Sequence, residues 1–124
     1  MTEPSTGWQL DDITYSGGTR EGPRATVQLS WAGEQVHGEG SGTGLIDAVC
    51  HAVSQATGVE ARVVAFRAYS VGPGSEAVGE VELEVELPGR RVAVRASSAD
   101  VVEAAGRALV AALNQYHAKR QAQG

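Results

Sequence analysis

A single cysteine, a single methionine and a single phenylalanine stand among 124 residues, and the chain has no basic run and no long apolar run. Each scarcity excludes something. One cysteine, Cys50, cannot build an internal disulfide framework. Ten Lys and Arg against 15 Asp and Glu leave a net charge of −5, with no cluster to track a phosphate backbone or an anionic membrane. No apolar stretch approaches the roughly 20 residues of a spanning helix, and no secretory leader is recognisable. A cytoplasmic protein with neither nucleic acid nor membrane as partner is expected. His37, His51 and His117 fall in separate elements without metal-ligand spacing, so no metal and no cofactor is expected. Cys50 and His51 are adjacent, which on a helix turns them about a third of a turn apart and prevents a nucleophile–base pair. No catalytic residue is assigned.

What the chain does have is an internal repeat. Gly40 to Val53 returns as Ala96 to Leu109 with every position shifted by 56, and Val27, Leu29, Gly33 and Val36 fall in the same way on Leu83, Val85, Gly89 and Val92. Two copies are too few for a solenoid. They point to a pseudo-symmetric pair, whose seam is a natural place for a ligand or a partner.

Local patterning gives each copy the same elements. Val81, Leu83, Val85 and Leu87 alternate with Glu82, Glu84 and Glu86, the pattern of a half-buried strand with a solvated acidic face. A two-residue turn at Pro88-Gly89 would pair Val85 with Val92 and Leu83 with Val94 inside, and Glu86 with Arg91 and Glu82 with Arg95 outside; a Pro-Gly pair suits a type II turn, so a longer or bulged connection stands as the alternative. The earlier hairpin joins Ala25–Trp31 to Gln35–Gly38 across Ala32-Gly33, with Leu29 opposite Val36. One further strand precedes each hairpin, at Asp12–Ser16 and Arg62–Val71.

A helix follows each hairpin. The first is expected to be capped by Thr43 or Ser41, to bury Ile46, Val49, Val53 and Ala56, and to stop at Gly58. In the second, Ser97 and Asp100 resemble a capping box, and Val101, Ala105, Leu109, Ala112, Leu113 and Tyr116 form the buried stripe. Its small residues, Ala104 to Ala112, suit close helix packing and equally suit simple helix propensity. The expected fold is α+β: two pseudo-symmetric βββα modules, about 8–58 and 61–118, with an antiparallel sheet layer packed on two helices. Residues 1–7 and 119–124 read as disordered tails.

These segments resemble the C-terminal regulatory domain of α-isopropylmalate synthase, shared with citramalate synthase, over roughly Trp8 to Tyr116. Gly42-Thr-Gly-Leu-Ile-Asp-Ala48 is similar to that family's first-helix opening, Gly-Asn-Gly-Pro-Val-Asp-Ala. Phe66, Ser70 and Gly74-Ser-Glu-Ala77 look like its central strand, and Ser98-Ala-Asp-Val-Val-Glu-Ala-Ala105 with Ala112-Leu-Asn114 like its final helix. Thr43 and Leu45 replace the family's Asn and Pro, Ala96 a frequent Gly, Phe66 a frequent Tyr, and Glu76 an Asp. The resemblance implies a homodimer, a leucine-like small-molecule effector bound by Gly42, Thr43, Gly44, Leu45, Ile46, Phe66, Ala68 and Ala77, and regulation of a separate, barrel-only synthase in trans. The synthase's own chemistry resides in a TIM barrel of about 250 residues, for which 124 residues leave no room.

Read from the residues alone, the Gly40 to Gly44 stretch before a helix offers backbone N–H groups and a helix dipole to an anion such as a carboxylate. The same glycines also suit a tight strand-to-helix turn. Two other readings stand beside the regulatory one. A small enzyme of specialised metabolism could reuse the effector pocket, with His37, Glu39, Asp47 and Glu76 as its titratable groups; a dimerisation scaffold could have the pocket filled by Thr43 and Leu45.

Overall fold

Strict alternation of Val and Leu with Glu makes the fifth strand, and every other element follows in the expected order: β1 (Trp8–Ser16), β2 (Arg24–Trp31), β3 (Glu34–Ser41), α1 (Leu45–Thr57), β4 (Arg62–Val71), β5 (Val78–Leu87), β6 (Arg90–Ser98) and α2 (Val101–Gln123). The computed structural model describes residues 7–72 and 78–123, without the side chains of Val71 and residues 119–123. The tail over 1–6, Gly124 and the segment holding Glu76 and Ala77 lie outside the described residues.

Both hairpins take the expected register. Val85 faces Val92, Leu83 faces Val94, Glu86 faces Arg91 and Glu82 faces Arg95; Leu29 faces Val36. On the outer face of the second hairpin Arg95 meets Glu82 at 2.6 Å and Arg91 meets Glu86 at 3.3 Å. Such exposed pairs fix register more than they stabilise. Gly89, at φ 75°, closes the Pro88-Gly89 turn as a type II turn allows, whereas Ala32 (φ 53°) and Gly33 (φ 86°) both turn left-handed, as in a type I′ turn.

The strands form two separate antiparallel sheets, β1-β2-β3 and β4-β5-β6. Each helix packs on the hairpin of its own module and then reaches the first strand of the other: α1 touches β3, β2 and β4, and α2 touches β6, β5 and β1. This crossing locks the modules together. Glycines set the spacing. A Cβ at Gly38 or Gly40 would run into the α1 backbone at Ala52, so α1 lies directly against β3. On α2, a Cβ at Gly106 would come 3.2 Å from Leu10 and Ile13, and its absence seats β1 on the helix. Ala104, Ala105, Ala108 and Ala112 are fully buried beside it, so the small residues of α2 do serve close packing. Val27, Leu29, Val81, Val85, Leu109 and Leu113 fill the core, each contributing about 1.5–3 kcal/mol by leaving water.

Asn114 ties the same helix to β1 by hydrogen bonds. Its side-chain oxygen accepts from the Trp8 N–H at 2.6 Å and its amide donates to the Trp8 carbonyl at 2.9 Å. Trp8 and Trp31, cross-strand partners, stack edge-on at 5.0 Å, and His117 of α2 continues the stack at 5.4 Å from Trp31. The two tryptophans therefore cover one end of the first sheet.

Several expectations need correction. Neither Thr43 nor Ser41 caps α1: the cap is Gly44, with extended backbone and no side-chain cap bond. Asp100 is not the far member of a box opened by Ser97 but is itself the cap of α2. Val101 is 37% exposed, because it opens the helix at its outer end, and Val102 is buried in its place. β1 begins at Trp8 rather than Asp12, and α2 continues past residue 118 to Gln123, a stretch without a helix breaker.

Candidate functional site

The opening of α1 is built from the end of β3. Gly42 donates its N–H to the Pro23 carbonyl at 3.3 Å, and a Cβ on Gly42 would strike the Asp47 carboxylate. Asp47, in the first turn, accepts from the Thr43 N–H at 3.2 Å. At Gly44 the chain is extended and a Cβ would meet nothing within 4 Å. Leu45 and Ile46 follow, half-buried. The structure thus gathers Gly42 to Ile46 around a helix N-terminus without a side-chain cap, where orphan N–H groups and the helix dipole favour an anion.

The opening of α2 is filled instead. Asp100 Oδ1 accepts from Val102 N–H at 2.8 Å and from Glu103 N–H at 3.4 Å, while its Oδ2 accepts from the Tyr15 hydroxyl at 2.6 Å. The Tyr15 bond, aided by the two backbone donors, holds the Asp100 carboxyl below its ordinary range. The same bond, with some desolvation and the Asp100 charge, pushes the Tyr15 phenol up. A carboxylate from module two and an aromatic ring from module one therefore occupy the N-terminus of α2.

Strand registers show what corresponds to this pair in the other half. Adding 56 carries Leu29 to Val85 and Ala25 to Val81; Leu10 pairs with Leu29 and Val63 with Val85, and a bulge follows each. Beyond the bulges Ile13 corresponds to Phe66, and Tyr15, paired with Ala25, corresponds to Ala68, paired with Val81. First strands are thus related by 53 rather than 56. Asp100 less 56 is Gly44. Where α2 has Asp100 and Tyr15, α1 has Gly44 and Ala68.

Phe66 and Ala68 share the inner face of β4, opposite Leu83 and Val81, and both are exposed, Phe66 by 43%. They are bare because α1 meets β4 over fewer residues than α2 meets β1. Tyr69 points the other way, as its parity requires, and donates to Glu80 at 3.0 Å. Gly42 and Phe66 border separate shallow concavities, of about 480 and 460 Å³. A polar concavity of about 600 Å³, bordered by Arg24, Glu39, Ser41 and His51, lies at the far end of the first sheet. Tyr15 and Asp100 were not legible as a site in the sequence: a single shift of 56 sets Tyr15 against Val71, and the three-residue slip in the first strands hides its match with Ala68.

The reactive side chains are otherwise engaged. Cys50 is buried, donates to the Ala61 carbonyl at 3.0 Å, and has its thiol pushed up to about 11 by desolvation. His51 donates from Nδ1 to the Ser41 carbonyl at 2.5 Å, with Nε2 3.6 Å from Asp47. His37 and Glu39 lie on the outer face of β3, since Gly38 and Gly40 between them face α1.

Comparison with known sequences agrees with this architecture. A 2-isopropylmalate synthase of Parasynechococcus marenigrum is 38% identical over 124 residues, covering 99% of this chain and 23% of the relative. That of Sediminispirochaeta smaragdinae is 38% identical over 100 residues, or 80% of this chain and 20% of its own length. That of Cupriavidus necator is 37% identical over 101 residues, with 82% and 20% covered. The chain thus spans about a fifth to a quarter of the curated relatives it matches. Residues 1–117 match the LeuA allosteric (dimerisation) domain, and the chain belongs to that family.

Proposed function

We propose that this chain is a non-catalytic regulatory module that dimerises, binds a branched-chain amino acid or a related 2-oxo or hydroxy acid between the start of α1 and β4, and regulates a separate synthase in trans. The observation that carries the reading is the difference between the two helix openings. One is filled by Asp100 and Tyr15, and its counterpart holds Gly44 and Ala68, which have almost no side chain. An effector carboxylate takes the place of the Asp100 carboxylate, accepting from the N–H groups of Ile46 and Asp47. Its branched side chain lies over Phe66 and Ala68, contributing about 1.5–3 kcal/mol. Thr43 and Leu45 border the same opening.

Regulation follows only if the effector binds two states of the synthase with different affinity. Catalysis by the chain itself would need a titratable group turned toward the ligand; of the candidates among the described residues, His37 and Glu39 face away and Asp47 accepts from Thr43. Calorimetric titration of the chain with leucine, isoleucine and valine tests binding: saturable heat from at least one of them, at one ligand per chain, is expected, and no heat from any removes the reading. Addition of the chain to a barrel-only synthase tests the second half, with inhibition expected only when effector is present.

A further inference from the structure

Six large apolar side chains are exposed among the described residues, and three of them, Val64, Phe66 and Tyr69, belong to β4. Among the described residues β4 pairs only with β5, so its other edge carries unpaired backbone N–H and C=O groups. Edges meant to stay free are ordinarily protected by charge or by a bulge. β3 carries Glu34 and Glu39, β6 carries Arg90, Arg91 and Arg95, and β1 has Asp11 and Asp12 at its bulge. The bulge of β4 comes early, between Val63 and Ala65, which leaves Ala65–Val71 regular with Arg67 as its one charge.

We propose that this edge pairs antiparallel with the β4 edge of a second copy of the chain, about a two-fold axis at Ala68. The inference rests on dimerisation and names its surface. Side-chain parity and charge select the register. Cross-strand partners must face the same side of the sheet, so the axis passes through a residue. Centred on Phe66, the pairing runs into the bulge; centred on Arg67, it sets two like charges face to face. Centred on Tyr69 or beyond, it shortens to five residues or fewer per strand. Centred on Ala68, it pairs all of Ala65–Val71, with Phe66 beside Ser70 and Arg67 beside the Tyr69 ring, a cation–π geometry. Phe66 and Ala68 then lie at the interface as well as beside the effector, so effector occupancy and dimer affinity are linked.

The test measures the wild-type oligomer by light scattering and cross-links Ala68→Cys, with Thr14→Cys on the β1 edge as comparison. Residues directly opposite in an antiparallel pair lie about 4.5–5.5 Å apart at Cα, within disulfide range, and Cys50 is buried. The expected result is a dimer in which Ala68→Cys becomes disulfide-linked under mild oxidation and Thr14→Cys does not. Tyr69→Arg, which sets Arg against Arg67 twice per dimer, should raise the dissociation constant by about tenfold. A dimer in which Ala68→Cys stays unlinked, Thr14→Cys links instead, or Tyr69→Arg binds itself as tightly as wild type overturns the β4 interface and leaves dimerisation standing. A monomeric wild type overturns both.

Discussion

The Tyr15 hydroxyl donates to Asp100 Oδ2 at 2.6 Å and so joins the first strand of one module to the helix cap of the other. Each group shifts the other's ionisation, and the signs differ. The Asp100 carboxyl is held below its ordinary 3.8, so its stabilisation is present above that value and is lost as pH falls through the lower one. The Tyr15 phenol is pushed above its ordinary 10.0, so its stabilisation is present below that value and is lost as pH rises through the higher one. Tyr15→Phe should therefore lower the denaturation midpoint modestly between about pH 4 and pH 10. Denaturant titrations at pH 3, 7 and 11 should show the gap to wild type narrowing at both extremes; a gap independent of pH would contradict the assignment.

Asn114 makes two hydrogen bonds to the backbone of one residue, Trp8, and both partners are partly buried. Replacing it with alanine leaves that N–H and C=O without protein partners. Asn114→Ala should cost about 1–3 kcal/mol, and because Trp8 stacks on Trp31, tryptophan emission should shift toward that of exposed indole in the folded protein. Thermal denaturation followed by fluorescence reads both effects.

Gly40 sits so close to α1 that a methyl group would overlap the Ala52 and Ala48 backbone. Its counterpart in the second module is Ala96, which carries that methyl group. Gly40→Ala should destabilise by about 1–3 kcal/mol through overpacking, and Ala96→Gly by no more than about 1 kcal/mol. Equal losses in chemical denaturation would mean that both helices sit at the same distance from their strands.

Much of this was legible from residues. Val81 to Leu87 alternates so strictly that strand, face and hairpin register follow together, and Gly58, at φ 74°, ends α1 where expected. Less legible were contacts that depend on the other half of the molecule. Nothing local in Asn114 announces a bond to Trp8, 106 positions away. The caps were misassigned for a related reason: Thr43 and Ser41 have the right chemistry, but the chain turns into the helix at Gly44, and only the approach of Tyr15 reveals Asp100 as part of a filled site. The proposed binding set was read from Gly42 to Ile46 and from Phe66 and Ala68, while matching Gly44 and Ala68 to Asp100 and Tyr15 required strand registers.

The central claim is that the opening of α1 is left for a carboxylate that α2 supplies for itself. Gly44→Asp gives α1 that carboxylate: the backbone there is extended and a side chain has room, so the fold should be kept or strengthened by a few tenths of a kcal/mol. The decisive measurement is calorimetric titration of this variant with the amino acid that binds wild type. Loss of binding in a protein at least as stable as wild type is predicted, and unchanged affinity would contradict the account.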